Sequence, residues 1–469
     1  MFKFLCIAIL AVLWWAALWL VLPIGWLHGT LPSFIAVHIA PPLLPVAAWW
    51  AGKRAWAWHK TRVKERSEKM VAAEKEAAHE AAKAAHLEDM EHRHAHVECR
   101  AVWAEFAPMP DWAKDGAKQC TLLAQTPKTI QGTGRKAALI SSLQRVFAAA
   151  FAQCEAAVWL PVMLLGDDPE PLEWVAIAWN QAIAQCEIQN FPPQPDCEFL
   201  SSNSEILDRL IAMFADDPGL PAVILAGMDS PLADSALMGY SNADENGHAV
   251  IAVLLSRQAL MAPPDDVQTN SSEPEDENHL LPYWERKHKA DTPQWERIPP
   301  PLRQVFWGLS PIAALRRSSA VSALESEWES VQNRQIRDAI HDAFIHAGLL
   351  DWPFKEEKSE KESTQAEQAK PKEPEPLKLG WFVHDSNDGA RLAMLILALE
   401  NCGCERISLS AETSNPQKEH GNTGMARSVL MLAEALVRAA KLQKPVLAAE
   451  TDERGQMRFR LARPLEEVA

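Results

Sequence analysis

The sequence predicts a layered α/β body behind an apolar N-terminal anchor and a long charged helix. Residues 4–22 are almost wholly apolar, and residues 222–226 and 249–255 read AVILA and AVIAVLL. Helical segments alternate with such strands through two blocks of the chain. Because continuously apolar strands need cover on both faces, they are typical of sheets packed between helices.

The anchor is predicted from two apolar runs and their basic flank. Residues 4–22 are long enough to span a bilayer core about 30 Å thick, whereas residues 34–50 contain three prolines. Basic flanks remain on the cytoplasmic side, so we expect a two-helix hairpin over residues 1–52 and a cytoplasmic body. The alternative is a single crossing, with residues 34–50 in the interface and a periplasmic body. The flank consists of Lys53, Arg54, Lys60, Arg62, Lys64 and Arg66.

Composition narrows the classes of partner. The net charge of −16 argues against nucleic acid as the main partner, because binding to its phosphates needs a basic face. The eight cysteines have no regular spacing, which indicates free thiols in a reducing compartment. Cys402 and Cys404 are the only close pair and lack a second pair that would complete a zinc site. We predict neither a metal nor a cofactor.

Residues 53–137 are predicted to hold the basic flank, a long helix from 59 to about 102, and a connector. The helix has no Gly or Pro and is rich in Ala, Glu, Lys and His. The first α/β block, 138–353, follows. It has predicted helices at 139–154, 171–186, 204–214 and 318–347, strands at 157–165, 222–226 and 249–255, and an acidic loop near 263–278.

The second α/β block is predicted over 377–469, after a disordered linker at 354–376 that is poor in apolar residues. Its predicted strands are 377–384, 406–409, 445–450 and 457–461, and its helices are 389–400 and 424–440. Both blocks therefore repeat the same alternation of strands and helices.

Three segments resemble the thiolase-like fold of β-ketoacyl synthases. They are PAVILAGMDSPL at 221–232, ENGHAVIAVLLSR at 245–257, and SNPQKEHGNTGMARSVLMLAEALVRAA at 414–440. The resemblance implies two similar halves in five layers. It also implies a nucleophilic cysteine at a helix N-terminus, where the helix dipole lowers the thiol pKa.

The catalytic positions implied by this resemblance are incomplete. Cys197 lies near the expected cysteine, but the carboxylates of Asp196 and Glu198 would raise its thiol pKa. Asn422 stands where the resemblance implies a catalytic histidine, which leaves His384 and His420 as the remaining candidates. We therefore expect a degenerate site and lean towards a body without catalysis.

The overall organisation also resembles the lipase-adaptor family of type VI secretion systems. That resemblance implies a non-catalytic adaptor, tethered to the bacterial inner membrane, that binds a phospholipase-type effector and helps load it onto the secretion spike. The alternative is a membrane-bound, thiolase-like acyl-transfer enzyme. Aromatic residues are the candidate partner contacts, namely Tyr283, Trp284, Trp295, Trp307 and Trp352.

Overall fold

The computed structural model describes residues 9, 12–18, 20, 40–93, 95–114, 117–166, 170–200, 205–217, 219–235, 245–258, 260, 297–321, 329–350, 376–452 and 455–465. Most of the predicted anchor, the acidic loop near 263–278 and nearly all of the predicted linker lie outside these residues. Within the described residues, no helix is both long enough and apolar enough to cross a membrane. The chain forms two compact units, residues 1–89 and 90–469, and the second is called the body here.

The first unit contains the long helix α1, Ala40–Arg93. Its described side chains from residue 48 to residue 81 are exposed. The sequence correctly predicts a long helix here, but the predicted C-terminal limit near residue 102 is wrong. The chain instead enters strand β1, His96–Ala107, in which all twelve residues are buried.

The body contains two halves with the same strand order. Across half one the five main strands run β4 (Cys197–Leu200), β3 (Val162–Leu165), β5 (Ala222–Asp229), β6 (His248–Arg257) and β1. Across half two they run β10 (Thr413–Ser414), β9 (Trp381–His384), β11 (Val446–Thr451), β12 (Met457–Arg463) and β7 (Ala313–Arg316). Numbered by their order along the chain within each half, both sets read 3-2-4-5-1. The fifth strand of each half is antiparallel to both of its neighbours. Antiparallel pairing of β1 with β7 joins the halves.

Half one is built from strands and helices on both sides of its sheet. Its further strands are β2 Cys120–Ala124, β3 Val162–Leu165, β4 Cys197–Leu200, β5 Ala222–Asp229 and β6 His248–Arg257. Its helices are α2 Asp111–Lys114, α3 Pro127–Ile130, α4 Arg135–Gln153, α5 Glu170–Gln185, α6 Ile206–Asp216, α7 Pro231–Ser235 and α8 Pro300–Trp307.

Half two repeats this plan. Its strands are β7 Ala313–Arg316, β8 Ser319–Val321, β9 Trp381–His384, β10 Thr413–Ser414, β11 Val446–Thr451 and β12 Met457–Arg463. Its helices are α9 Glu329–His346, α10 Gly389–Asn401, α11 Pro416–His420 and α12 Arg427–Leu442.

Three hydrophobic clusters show that the body has five layers. Helices α6 and α12 share one cluster with strands of both halves, so they form the central layer. Helices α4 and α5 cover the outer face of half one, and α9 and α10 cover the outer face of half two. Because α12 contacts apolar side chains in both directions, residues 429–437 are all buried. The predicted layered architecture with two similar halves is confirmed.

Several predicted boundaries differ from the structure. Half one begins at β1 rather than at residue 138, and half two begins at β7 rather than at residue 377. The predicted helix over 318–347 contains strand β8 before α9, and residues 406–409 form no strand. Strands β7 and β8 are only four and three residues long, and pairing with distant strands stabilises them rather than local propensity.

Candidate functional site

A partly buried polar cluster lies where the strands of half two end and the central helices begin. We name it the junction cluster. It comprises Glu205 before α6, Asp385 after β9, Arg427 and Ser428 at the start of α12, Glu450 and Asp452 at the end of β11, and Arg458 and Arg460 on β12. Strand ends beside helix starts are the usual location of ligand sites in layered α/β folds.

Glu205 lies at the start of α6, where its side chain bonds to groups outside the helix. It occupies the N-cap position of this helix, and its carboxylate accepts a hydrogen bond from Ser318 Oγ at 2.7 Å. Two guanidinium groups of half two approach the same carboxylate, Arg458 Nε at 3.3 Å and Arg460 Nη2 at 3.7 Å. The thiolase-like resemblance implies a nucleophile near this helix start, where the structure places an ion-paired carboxylate.

Glu450 is the most enclosed carboxylate of the cluster. It pairs with Arg460 and accepts a hydrogen bond from Ser428. Burial favours a higher pKa for this carboxyl group, but Arg460, Ser428 and Arg427 outweigh burial and lower the pKa. Glu450 is therefore ionised at neutral pH.

Asp385 links the carboxyl ends of two neighbouring strands. Its Oδ2 accepts a hydrogen bond from the Thr451 backbone N–H at 2.7 Å. Arg427 Nη2 donates to the Thr451 carbonyl oxygen at 3.1 Å. Burial raises the pKa of Asp385, although the Thr451 hydrogen bond and Arg427 oppose this rise. The cluster thus combines carboxyl groups whose pKa values shift in opposite directions.

A second buried network lies in half one. Arg145 donates to Glu105 at 2.6 Å, Ser142 Oγ donates to Glu105 at 2.6 Å, and His248 Nε2 lies 2.9 Å from Ser142 Oγ. His248 Nδ1 lies 2.8 Å from the hydroxyl of Ser230. Both serines and His248 are completely buried, so this relay is a network of the core rather than an open reaction site.

Replacing Glu105 by glutamine tests this relay. Burial alone would raise the pKa of Glu105, but Arg145, His248 and Ser142 together lower it to about 2. A lowered folded-state pKa adds stability above the unfolded-state value near 4.5, and this stability disappears as pH falls towards 2. We expect Glu105→Gln to lower the free energy of unfolding by about 2–3 kcal/mol at pH 7.

The same variant should flatten the loss of stability between about pH 4.5 and pH 2. Urea unfolding at a series of pH values measures both effects. Glu155→Gln is the matched control because Glu155 is exposed, and it should change stability by less than about 0.5 kcal/mol. Equal acid sensitivity of the wild type and Glu105→Gln would contradict the assignment.

The turn before α12 contacts the end of β5 in the other half. The Gly247 N–H donates to the Asn422 carbonyl at 2.9 Å, and the Asn422 N–H donates to the Glu245 carbonyl at 2.7 Å. Asp229 Oδ2 accepts from the Met425 N–H at 3.0 Å. Asn422 therefore has a clear structural role, since its backbone joins the two halves.

Cys197 does not have the environment of a nucleophile. It is the first residue of β4 at the edge of half one, and it lies before α6 rather than at its start. Burial, Glu198 and Asp196 raise its thiol pKa to about 12, which agrees with the effect expected from the sequence. The other six described cysteines also have raised pKa values.

His384 and His420 are both buried histidines. His384 ends β9, and burial followed by the nearby Lys418 lowers its pKa to about 4. His420 ends α11, its ring lies 5.5 Å from that of Phe106, and burial lowers its pKa to about 4. Cys197 lies on the edge strand β4 of half one, whereas His384 and His420 belong to elements of half two.

The predicted partner contacts are only partly within the described residues. Trp307 is half-buried, packs against the outer core of half one, and makes an edge contact with Phe306 at 5.1 Å. Tyr283, Trp284, Trp295 and Trp352 lie outside the described residues. Within those residues, no group of three or more His, Cys, Asp or Glu side chains is placed to hold a metal ion.

Sequence reasoning missed most members of the junction cluster. A usable signal exists in the last strand, where MRFRLAR places Arg458 and Arg460 on one face by the two-residue period of a strand. Charged side chains on a buried strand require buried partners. The position of Glu205 before α6 gives no comparable signal, because its arginine partners come from the opposite half.

Comparisons with known proteins give structural neighbours alone. No family model matches the sequence, and no curated protein matches it. The sequence-based resemblance to the lipase-adaptor family therefore finds no support in these comparisons.

The structural neighbours include condensing enzymes. The 3-oxoacyl-[acyl-carrier-protein] synthase III of Aquifex aeolicus is 12% identical, with 78% of this chain and 99% of that chain covered and a TM-score of 0.37. The enzyme of the same name from Pseudomonas aeruginosa is 12% identical, with 80% of this chain and 100% of that chain covered and a TM-score of 0.36.

A cerulenin-bound OleA variant of Xanthomonas campestris is 11% identical, with 78% of this chain and 96% of that chain covered and a TM-score of 0.38. At these TM-scores the likenesses carry no argument about chemistry. The architecture rests on the strand order itself, in which two α/β halves read 3-2-4-5-1 around two shared central helices. This is the layered arrangement of two similar halves that the thiolase-like resemblance implies.

Proposed function

We propose that the body is a thiolase-like acyl-transfer protein that works at the junction cluster and not through Cys197. The substrate class follows by analogy from the three resembling segments and the paired halves. Because a fold does not define a function, the argument depends on the chemistry that the cluster offers.

Two hydrogen-bond donors of the cluster support this proposal most directly. The Nε–H groups of Arg427 and Arg460 are buried and have no hydrogen-bond partner among the described residues. Buried polar groups normally have partners, so these donors suit the oxygen atoms of a ligand. In acyl transfer the carbonyl oxygen gains negative charge, and fixed donors stabilise that charge.

His384 could supply a neutral donor at the same strand ends. With a pKa of about 4 its imidazole is uncharged at neutral pH, and its buried Nδ1 has no hydrogen-bond partner among the described residues. A neutral imidazole N–H can polarise a carbonyl group. In the reaction, the bond between the acyl carbon and the thioester sulfur breaks and a bond to the acceptor oxygen or sulfur forms. The acceptor's proton passes to the departing thiolate.

Turnover of acyl-coenzyme A by the full chain tests this proposal. Short, medium and long acyl chains are offered with water or a small thiol as acceptor, and coenzyme A release is measured by mass spectrometry. We expect Arg427→Gln to lower kcat about 10²–10³-fold, whereas Cys197→Ala should change it less than twofold. Loss of turnover in Cys197→Ala, or no turnover with any chain length, would refute the proposal.

A second candidate is the non-catalytic adaptor, tethered to the inner membrane with a cytoplasmic body. The observation that favours it is the ion-paired Glu205 at the start of α6, together with the raised pKa values of the described thiols. A carboxylate at this position opposes thiolate formation nearby. The proposed partner is a secreted lipase effector, with the spike protein as a further partner.

The adaptor predicts partner capture without turnover. A tagged full chain in a mild-detergent extract should retain a lipase effector, and Trp307→Ala measures whether this half-buried aromatic side chain contributes. Retention of an effector with no coenzyme A release would favour the adaptor. Coenzyme A release without a retained effector would favour acyl transfer.

A further inference from the structure

The first part of α1 exposes a dense set of aromatic and basic side chains. We name it the belt, and it consists of Trp49, Trp50, Lys53, Arg54, Trp56, Trp58, Lys60, Arg62, Lys64 and Arg66. Its four tryptophans are 52%, 59%, 72% and 59% exposed. Exposed large apolar side chains in a group mark a surface that contacts something else, and tryptophan is enriched at membrane–water interfaces.

The belt pairs cations with aromatic rings along the helix. Arg62 lies 4.3 Å from the ring centroid of Trp58, Arg54 lies 5.2 Å from that of Trp50, and Lys53 lies 5.4 Å from that of Trp49. In each pair the cation is four residues further along the chain than the ring. The rings therefore come first along the axis and the cations follow about one turn later.

The belt surrounds the helix instead of marking one face. Successive residues turn by about 100°, so Trp56 and Trp58 point about 160° apart, as do Lys60 and Arg62. A helix that lies flat on a membrane concentrates its aromatic residues on one side and its cations on the other. The distribution around α1 instead fits a helix whose axis passes through the interface.

Polarity also changes in order along α1. The helix starts with APPLLPVAA and continues with a stretch from Trp49 to Trp58 in which Lys53 and Arg54 stand among the tryptophans. Basic residues without tryptophan follow from Lys60 to Arg66, and mixed charges come after them. This is the order of hydrocarbon, interface, phosphate layer and water across one leaflet of a membrane. Nucleic acid would contact the cations without any reason for the apolar start.

The positive charge of the belt favours binding to a negatively charged membrane surface. Between residues 53 and 66 six cations stand against one acid, Glu65, in a chain whose net charge is −16. We propose that the belt binds anionic phospholipid headgroups, with the axis of α1 passing through the headgroup layer. Trp49 and Trp50 then lie at the acyl boundary. The cations from Lys53 to Arg66 lie at the level of the lipid headgroups, with Trp56 and Trp58 among them.

Vesicle flotation of the full chain tests the proposal. The partition coefficient is measured with phosphatidylcholine vesicles and with vesicles containing 30% phosphatidylglycerol, a probe composition of about the charge density of an anionic membrane. The ratio of the two coefficients isolates the headgroup contribution, because apolar segments enter both kinds of vesicle. We expect a wild-type ratio well above ten at low salt, falling as salt is added.

Two matched double variants distinguish a helix whose axis passes through the interface from a helix that lies flat on the membrane. Trp56→Ala with Lys60→Gln changes one side of α1, and Trp58→Ala with Arg62→Gln changes the opposite side at nearly the same height. An axis through the interface predicts that each double variant lowers the ratio about fivefold, since each cation near an anionic surface contributes about equally. A tenfold effect in one variant and none in the other would overturn this orientation.

A control variant lies further along the same helix. Lys75→Gln removes an exposed cation about 20 Å beyond Arg62, outside the screening length of about 10 Å, and should leave the ratio unchanged. A wild-type ratio near one would overturn the proposal. Loss of vesicle binding on addition of a structured RNA competitor would also overturn it and identify nucleic acid as the ligand.

Discussion

Replacing Arg460 by methionine is expected to lower the free energy of unfolding by about 3–5 kcal/mol at neutral pH. Arg460 and Glu450 are both buried and paired, and Arg460 also approaches Glu205. Removing the guanidinium group leaves the buried Glu450 carboxylate without its main countercharge. Urea unfolding followed by circular dichroism measures the effect.

The destabilisation caused by Arg460→Met should depend on pH in a defined direction. In the wild type, Arg460 helps hold the pKa of Glu450 below its usual value. Without Arg460, burial raises that pKa, and a raised folded-state pKa favours the folded chain at low pH. The penalty of Arg460→Met should therefore shrink as pH falls from 7 towards 4.

Two further variants test the interpretation of Arg460→Met. Adding Glu450→Gln to Arg460→Met should recover part of the lost stability, because it removes the buried charge that the first substitution leaves unpaired. Arg406→Met is the exposed control, because the Arg406 side chain is 90% exposed and its Nε lies 3.8 Å from Glu400 Oε1. This substitution should lower the free energy of unfolding by about 0–1 kcal/mol. An equal cost for Arg460→Met and Arg406→Met would contradict the assigned role of the buried pair.

Replacing Gly424 by alanine is expected to destabilise the body by about 3–5 kcal/mol. Gly424 has φ +49, and a Cβ atom there would overlap the carboxylate of Asp229. The left-handed backbone conformation costs about 1–2 kcal/mol for alanine. Displacing Asp229 from the Met425 N–H and from Arg135 at 3.0 Å removes charged contacts worth about 1.5–3 kcal/mol.

Gly403→Ala distinguishes the cost of the left-handed backbone from the cost of displacing Asp229. Gly403 has φ +86, but a Cβ atom there would meet no heavy atom within 4 Å. It should therefore show only the backbone cost of about 1–2 kcal/mol. Thermal and urea unfolding of both variants provide the comparison, and equal losses of stability would show that the contact with Asp229 contributes nothing.

Elements with strong local periodicity were predictable from the sequence. The apolar runs 222–226 and 249–255 lie within strands β5 and β6, and the helix predicted over 389–400 is α10. Their local pattern and their packing agree, because both faces of each strand are covered by helices. The repeated alternation likewise predicted two similar halves.

Strand β1 shows where local reasoning failed. Its sequence HVECRAVWAEFA carries charged residues, and no Gly or Pro occurs from residue 59 to residue 102. The local pattern therefore predicted that the preceding helix continues through this strand. In the structure Arg100 Nε donates to Ser256 Oγ at 2.7 Å and Glu105 pairs with Arg145. These partners are far away in the sequence, and they make burial of the charges possible.

By itself the sequence determined the apolar and basic start, the long helix, the layered α/β class and the poor setting of Cys197. These features depend on residue type and on neighbours within a few positions, such as the carboxylates beside that thiol. Tertiary structure alone decided which half each strand joins, that α6 and α12 are shared, and that Glu205 meets Arg458 and Arg460. Those pairings join residues more than two hundred positions apart, so only folding brings their charges within the few ångströms over which they interact.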